Sequence, residues 1–233
     1  MSQDWKKIAA QTGVVIPSYN ADRHLAGVVE RTARYVPLSQ IIVVDDGSTD
    51  ATLETAERSG AVVIRHPVNR GKGAALKTGL SKAVEMNLAF AITLDADGQH
   101  NPDEIPKFLE RELDTGADII VGNRMADRKN MPADRVFANR ATSFFVSLRT
   151  GIKIPDSQNG YRLIRTSLFE TLLPRLKAVK YEAESEILIK AAKAGARIAS
   201  VPVETIYASE VSSVHPWIDT GRFLRMAIKS FFW

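Results

Sequence analysis

The sequence predicts an α/β fold in which a mostly parallel sheet is flanked by helices. Two observations predict it: continuous apolar runs recur through the first half of the chain, and segments with helical spacing of apolar residues alternate with them. Strands that are apolar on both faces are typical of parallel sheets covered by helices on both sides. With 233 residues, of which 45% are apolar and 25% charged, the chain is long enough for one such domain.

In the first half, the predicted strands are short apolar runs bounded by turn residues. They lie at 13–17, 41–44, 61–64, 88–92 and 118–122. Apolar residues three and four apart predict the intervening helices. These helices span 22–36, 73–87 and 103–114, with one more that begins after Asp50 and stops at Gly60. The first half is therefore Rossmann-like.

After residue 122 the alternation of strand and helix breaks. Helices are predicted at 133–150 and 181–194, a turn-rich segment at 154–162, and a strand at 198–207. The tail, 216–233, carries apolar residues at helical spacing among basic ones. This part of the chain is predicted to be α+β.

Polar loops follow the predicted strands. Residues 17–20, 45–50, 69–73 and 95–100 all lie at strand ends or in the turns that follow. In open α/β sheets, ligands bind beyond the carboxyl ends of the strands. We therefore expect these four loops to meet at one rim and to form the binding site.

Two carboxylates, Asp95 and Asp97, stand one residue apart at the end of the fourth strand. On extended chain their side chains point the same way, and their charges repel unless a cation lies between them. Gln99 offers a neutral oxygen on the same side, so the three residues are candidate ligands for magnesium or manganese. The alternative is a solvated acidic turn.

Asp46 ends the second strand and Tyr19 follows the first, so a base or ribose could be held between them. Asp46 could instead cap the following helix. No Gly-x-Gly-x-x-Gly opens the first helix, which excludes the dinucleotide fingerprint, and the spacing of Gly71-Lys72-Gly73 does not match a Walker loop.

Charge and composition exclude several classes of protein. The chain has no cysteine, hence no disulfide framework or thiolate chemistry, and its net charge of +4 favours anionic ligands in general. Residues 123–153 hold seven basic and two acidic side chains, a net charge of +5. This segment is either a phosphate-binding patch or a solvated helix face.

Several motifs, taken in order, resemble glycosyltransferase family 2, the inverting sugar transferases of GT-A fold. They are Val15-Ile16-Pro17-Ser18-Tyr19-Asn20, Val44-Asp45-Asp46-Gly47-Ser48-Thr49-Asp50, Asn69-Arg70-Gly71-Lys72-Gly73 and Asp95-Ala96-Asp97-Gly98-Gln99-His100. Later motifs resemble the dolichyl-phosphate and polyprenyl-phosphate sugar transferases: Gly122-Asn123-Arg124, Arg135-x-x-x-Asn139, Asp156-x-x-x-Gly160-Tyr161-Arg162, Glu182-x-Glu184 and Val201-Pro202-Val203. The resemblance covers roughly residues 13–220.

The resemblance implies an inverting, metal-dependent transfer of a hexose from a GDP- or UDP-hexose to a polyprenyl or dolichyl phosphate. It implies nucleotide-sugar contacts at Pro17, Tyr19, Asn20, Asp46, Lys72, Asp95, Ala96 and Asp97. It implies a divalent cation, magnesium or manganese, at Asp95, Asp97 and Gln99. The acceptor phosphate would be bound by Arg124, Arg135 and Asn139. The implied catalytic residues are Asp97, Arg124 and Asp156.

Other interpretations stay open at this point. The acceptor could be a saccharide or another hydroxyl compound. Ala21 and Ser213-Val214-His215 depart from the family pattern, which leaves the identity of the base and of the sugar open. The Asp95-Ala96-Asp97-Gly98 motif also resembles the nucleophile loop of haloacid-dehalogenase-type phosphohydrolases. A non-catalytic nucleotide or sugar-phosphate binder is a further alternative.

We expect residues 1–233 to form one catalytic domain, with a nucleotide-sugar-binding half at 13–122 and an acceptor-binding half at 123–233. The N-terminal segment lacks the apolar core of a signal peptide, and no run approaches a membrane-spanning length. We therefore expect a cytoplasmic protein, peripheral at the cytoplasmic face of a membrane. The amphipathic tail would either lie in the membrane interface or pack on the protein's own core.

Overall fold

A computed structural model describes residues 4–126, 131–180, 182–204 and 216–232. The strands are β1 (Thr12–Ser18), β2 (Ile41–Asp45), β3 (Val62–Arg65), β4 (Phe90–Thr93), β5 (Ile119–Asn123), β6 (Arg162–Arg165) and β7 (Ile198–Pro202). The helices are α1 (Trp5–Ala9), α2 (Asp22–Thr32), α3 (Thr52–Arg58), α4 (Lys72–Glu85), α5 (Ile105–Thr115), α6 (Ala133–Thr150), α7 (Thr166–Leu172), α8 (Ala183–Lys193) and α9 (Pro216–Ser230).

The strands form one sheet in the order β3-β2-β1-β4-β6-β5-β7. Every neighbouring pair is parallel except those of β6, which runs antiparallel to both β4 and β5. In the register, Val14 pairs with Ile41 on one side and Ile92 on the other. The predicted α/β fold with a mostly parallel sheet is confirmed.

Both faces of the sheet are buried, as continuous apolar strands predict. Val14 and Ile16 point to the face covered by α1, α2, α3 and α5, where they join a cluster that includes Leu25 and Phe108. Val15 points to the opposite face, covered by α4, α7 and α8, in a cluster with Leu80 and Leu188. Full burial of each such side chain stabilises the fold by roughly 1.5–3 kcal/mol.

β6 is the main departure from the sequence-based expectation. The turn-rich prediction for 154–162 holds for residues 154–161, which form turns and bends without helix or strand. The unpredicted four-residue strand β6 begins at Arg162, the last residue of that range, and lies between β4 and β5. Four residues give too little alternation to distinguish a strand from a turn, and only the two flanking strands supply its hydrogen bonds. Strand β7 ends at Pro202, and residues 205–207 of the predicted 198–207 strand lie outside the described residues.

Helix α9 packs against α6 through one of its faces. Met226, Ala227 and Ser230 are buried, and the ring of Phe145 lies 5.7 Å from that of Phe223. Arg149 of α6 donates to the backbone oxygen of Ser230 at 2.6 Å. Part of the tail's apolar stripe therefore belongs to the core. No helix in the described part of the chain is long and apolar enough to cross a bilayer.

Candidate active site

A cavity of about 420 Å³ opens at the carboxyl ends of β1, β2 and β4. All four predicted loops contribute to it, so the prediction that they meet at one rim is confirmed. Its lining residues are Pro17, Ser18, Tyr19, Ala21, Asp46, Asn69, Gly71, Lys72, Ala75, Asp95, Ala96, Asp97, Lys180 and Arg222. Of the eight residues predicted to contact a nucleotide sugar, Asn20 is the one not among those lining the cavity.

Asn20 shapes the loop between β1 and α2. Its backbone has a φ of +50°, in the left-handed region that asparagine tolerates. Its side-chain oxygen accepts the backbone N–H of Thr49 at 2.9 Å, and its own N–H donates to Ser48 Oγ at 3.0 Å. These bonds join the loop after β1 to the loop after β2 and so leave the neighbouring Tyr19 ring at the cavity, half exposed.

Asp46 is buried and accepts hydrogen bonds from three groups of the protein. His66 Nδ1 lies 2.6 Å from Oδ1, and the backbone N–H groups of Arg70 and Gly71 donate at 3.0 and 2.7 Å. The helix-cap alternative for Asp46 is wrong, because α3 begins after Ala51 without a side-chain cap and, within the described chain, the Asp46 carboxylate bonds only groups outside that helix. Asp46 instead ties the end of β2 to the loop that precedes α4.

Lys72, the first residue of α4, lies between two carboxylates. Its Nζ is 2.8 Å from Asp95 Oδ1, 2.9 Å from Asp95 Oδ2 and 3.0 Å from Glu184 Oε1. Burial is the largest single influence on Asp95 and by itself would raise its pKa. The charge and hydrogen bond of Lys72, together with the charges of His100 and Arg124, outweigh burial and lower that pKa to about 2. The two carboxylates likewise raise the pKa of Lys72 despite its burial.

Hydrogen bonds between backbone N–H groups and side chains of the same loop fix the Asp95-x-Asp97 segment. The N–H of Asp95 donates to His100 Nδ1 at 3.0 Å, and the His100 ring lies 5.1 Å from that of Tyr161. Burial lowers the pKa of His100, consistent with an unprotonated Nδ1. Asp97 Oδ1 accepts the N–H of Gln99 at 2.9 Å. Burial and the charge of Asp95 raise the pKa of Asp97.

This donor set fits a hard divalent cation that arrives with a phosphate ligand. No group of three or more His, Cys, Asp or Glu side chains in the described ranges is arranged to hold a metal ion by itself. Magnesium is commonly held by one or two carboxylates, with the remaining ligands coming from water and substrate phosphates. Asp95 and Asp97 supply such a pair at the cavity.

A second cluster surrounds Asp156. The Nε and Nη2 atoms of Arg124 donate to the two oxygens of Asp156 at 2.8 and 2.9 Å, and Asn139 Nδ2 donates at 2.6 Å. Burial alone would raise the pKa of Asp156, but the hydrogen bonds and charge of Arg124 lower it below its usual range. The structure thus brings Arg124, Asn139 and Asp156 together. Arg135 lies exposed on α6, one turn before Asn139.

Arg162 explains the shape of the loop between Asp156 and β6. Its guanidinium is fully buried and donates to the backbone oxygens of Ser157, Asn159 and Glu184 at 2.8, 2.8 and 2.6 Å. Five donors in a fixed plane suit a site that binds several carbonyl groups at once. The arginine of this motif therefore holds the loop against α8.

Lys180 and Arg222 line the cavity and were not predicted from the sequence. Lys180 precedes α8, and its Nζ lies 3.4 Å from Asn69 Oδ1. Arg222 comes from α9. Neither residue follows a strand or belongs to a motif of the strand-end loops, so no local pattern indicates it. Only the tertiary packing of the second half of the chain brings them to the site.

Comparison with known proteins gives one family. The model of "Glycosyl transferase family 2" matches residues 13–173. The UDP-N-acetylglucosamine–dolichyl-phosphate N-acetylglucosaminyltransferase of Methanococcus voltae is 36% identical over 214 residues, which cover 83% of this chain and 85% of that protein. The undecaprenyl-phosphate mannosyltransferase of Micrococcus luteus is 28% identical over 198 residues, 81% of each chain.

Among solved structures, glucosyl-3-phosphoglycerate synthase from Mycobacterium tuberculosis, in complex with Mn²⁺ and UDP-glucose, superposes with a TM-score of 0.73. The superposition covers 98% of this chain and 80% of the synthase at 22% identity. At that identity the likeness supports the GT-A fold alone.

Proposed function

Because the chain belongs to glycosyl transferase family 2, we propose that it is an inverting, metal-dependent enzyme that moves a hexose from a GDP- or UDP-hexose to a polyprenyl or dolichyl phosphate. That the chain is a glycosyltransferase follows from the family, which excludes the phosphohydrolase and non-catalytic alternatives. One observation supports the proposed nucleotide-sugar donor and the metal dependence. The strand-end cavity is lined by Tyr19 and Asp46 and also by Lys72, Asp95 and Asp97.

These two sets of residues suit the two ends of a nucleoside diphosphate sugar. The half-exposed ring of Tyr19 offers a stacking surface for a base. The ammonium groups of Lys72 and Lys180 offer charge to a diphosphate. A divalent cation held by Asp95 and Asp97, with Gln99 as the third predicted ligand, would neutralise the diphosphate as a leaving group.

Arg124 is the proposed contact for the acceptor phosphate, and Arg135 and Asn139 are the two further contacts that the sequence predicts. The names of the two relatives above include dolichyl phosphate and undecaprenyl phosphate, which supports a lipid phosphate as acceptor. Asp156 holds the Arg124 guanidinium by two parallel hydrogen bonds. Arginine binds phosphate with a similar planar geometry.

The reaction needs no strong general base. An acceptor phosphate oxygen forms a bond to the anomeric carbon while that carbon's bond to the nucleoside diphosphate breaks, and the electron pair leaves with the diphosphate. Attack opposite the leaving group inverts the configuration. The phosphate is already anionic at neutral pH, so positioning and charge neutralisation account for most of the rate. The fully buried Asp156 would act through Arg124 and not on the substrate itself.

A membrane surface is the proposed location of the acceptor. Phe137, Phe144 and Leu148 on α6 are exposed, as are Leu224 and Ile228 on α9. The exposed side chains Arg140, Arg225 and Lys229 accompany them. Apolar side chains flanked by basic ones favour binding to the interface of an anionic membrane. An isoprenoid chain would stay in the bilayer while its phosphate reaches Arg124.

The test is sugar transfer from UDP- and GDP-hexoses to a polyprenyl phosphate in mixed micelles, with Mn²⁺, with Mg²⁺ and with EDTA. We expect a glycosyl phosphate lipid of inverted anomeric configuration, formed only with the metal. A polyprenol without phosphate and a free saccharide serve as competing acceptors. Glycosylation of either of these in preference to the lipid phosphate would contradict the proposal.

A further inference from the structure

Glu184 reaches the proposed donor site from a different part of the fold than the strand-end loops. It lies on α8, its side chain is 8% exposed, and its Oε1 is 3.0 Å from Lys72 Nζ. Asp95, the other carboxylate at this ammonium, lines the cavity, whereas Glu184 is not among the lining residues. Among the described residues, Lys72 therefore has one carboxylate partner that lines the cavity and one that does not.

The contact between Glu184 and Lys72 depends on two further features. Arg162 holds the Glu184 backbone through its carbonyl oxygen, which fixes the start of α8. Gly160 lies directly beside the side chains of Lys72, Glu184 and Asp95. A Cβ added at Gly160 would lie 2.9 Å from both Lys72 Nζ and Glu184 Oε1, and 3.3 Å from Asp95 Oδ2. The backbone at 160 can approach this closely only because glycine has no side chain.

The two carboxylates differ in what a bound donor would do to them. A cation that binds Asp95 together with a diphosphate would partly neutralise the Asp95 carboxylate. Asp95 would then stabilise the positive charge of Lys72 less. A partly buried ammonium that loses its counter-charge is destabilised. Glu184 remains beside Lys72 in either state, because it does not face the ligand.

We propose that Glu184 is a positioning residue for donor binding, which holds the Lys72 ammonium at the cavity so that it contacts the donor diphosphate. The identity of the ligand rests on the proposed function. The competing explanation is that the Glu184–Lys72 pair only joins α8 to α4 and contributes to stability. The two explanations differ in whether the effect of Glu184 on nucleotide affinity depends on Lys72.

A double-mutant cycle distinguishes a role of Glu184 in donor binding from a role in stability alone. The Kd values of UDP and GDP are measured by titration calorimetry with the full chain and Mn²⁺, for the wild type, Glu184→Gln, Lys72→Met and the double variant. We expect Glu184→Gln to weaken binding of the preferred nucleotide about tenfold. In the Lys72→Met background, the same substitution should change the Kd by less than about twofold. In transfer assays the donor KM should rise with little change in kcat.

Glu85→Gln is the matched control, because it removes the same charge from an exposed pair with Lys82. If Lys72→Met does not fold, as judged by circular dichroism, Lys72→Gln replaces it in the cycle. Additive effects, an unchanged Kd in Glu184→Gln, or an equal loss in Glu85→Gln would overturn the inference. Non-additive coupling in a protein that transfers no sugar to lipid phosphate would leave the inference standing and contradict the proposed acceptor.

Discussion

The Nδ1 atom of His66 lies 2.6 Å from Oδ1 of Asp46, and both side chains are buried. On the other side of the ring, Nε2 lies 2.9 Å from Thr78 Oγ1 on α4. The Asp46 carboxylate also accepts the N–H groups of Arg70 and Gly71. One carboxylate therefore fixes the loop between β3 and α4, which contributes Asn69 to the cavity and leads directly into Lys72 at the start of α4.

Asp46→Ala is expected to weaken both the fold and donor binding. Loss of three hydrogen bonds to a buried carboxylate should lower the unfolding free energy by about 2–4 kcal/mol. Urea unfolding and nucleotide titration measure the two effects. Asp50→Ala, which removes the acceptor of the Thr52 N–H and hydroxyl before α3, should cost about 1 kcal/mol and leave nucleotide affinity unchanged. Unchanged affinity in Asp46→Ala would restrict Asp46 to a role in stability.

Asp97→Asn is expected to remove the metal-dependent part of donor binding and to leave the fold intact. In the wild type, donor with Mn²⁺ should stabilise the protein by about 2.7 kcal/mol at a ligand concentration a hundredfold above Kd. Thermal shift with and without Mn²⁺ measures this difference. Asp114→Asn, at an exposed site on α5, is the control. Metal-dependent stabilisation that survives in Asp97→Asn would argue against this residue as a ligand.

Arg124→Lys is expected to raise the acceptor Michaelis constant roughly tenfold and to leave that of the donor unchanged, because lysine cannot form two parallel hydrogen bonds. Steady-state kinetics with each substrate varied in turn measures both constants. Arg140→Lys, at an exposed position on α6, controls for the loss of a guanidinium. An effect confined to the donor constant would place Arg124 at the other substrate.

Gly160→Ala is expected to destabilise the protein by about 1–3 kcal/mol, because the added methyl group would overlap with Lys72 Nζ and Glu184 Oε1. Donor affinity should fall with it. Gly27→Ala is the matched control: a Cβ there meets no atom within 4 Å, and alanine should stabilise α2 by about 0.5–1 kcal/mol. Wild-type stability in Gly160→Ala would show that the ion pairs adjust without strain.

The double substitution Ile228→Gln and Phe232→Gln is expected to reduce binding to vesicles. Each of these exposed side chains would contribute roughly 1.5–3 kcal/mol if buried in the interface, so the bound fraction should fall at least about tenfold. Flotation with phosphatidylserine-containing vesicles measures it. Leu113→Gln, exposed on α5, should have no effect. Equal flotation of the wild type and the double variant would exclude α9 as the contact surface.

The first half of the fold could be predicted with some accuracy from apolar runs. β1, β2 and β5 lie within a residue or two of the predicted strands, and α6 has the predicted bounds, 133–150. These elements are long or strongly apolar, so their local pattern is sufficient. β6 escaped prediction because its four residues form a strand only through hydrogen bonds to β4 and β5.

In the candidate site, the residues predicted from motifs are those at strand ends. Parallel strands bring their carboxyl ends to one edge of a sheet, so Tyr19, Asp46 and Asp95 could be expected to converge although they are distant in sequence. Their roles toward donor and metal remain predictions. The partners of these residues were not predictable in the same way, since His66 and Glu184 follow no motif spacing relative to Asp46 and Lys72.

The sequence by itself determined the layered α/β architecture, the family and the edge of the sheet where the site lies, because these follow from periodicity and from motifs at strand ends. The tertiary structure decided which charges neutralise one another. It placed Lys72 between Asp95 and Glu184, and it used Asp156 to hold Arg124. Pairing depends on distances of about 3 Å between elements far apart in the chain, and only packing fixes such distances.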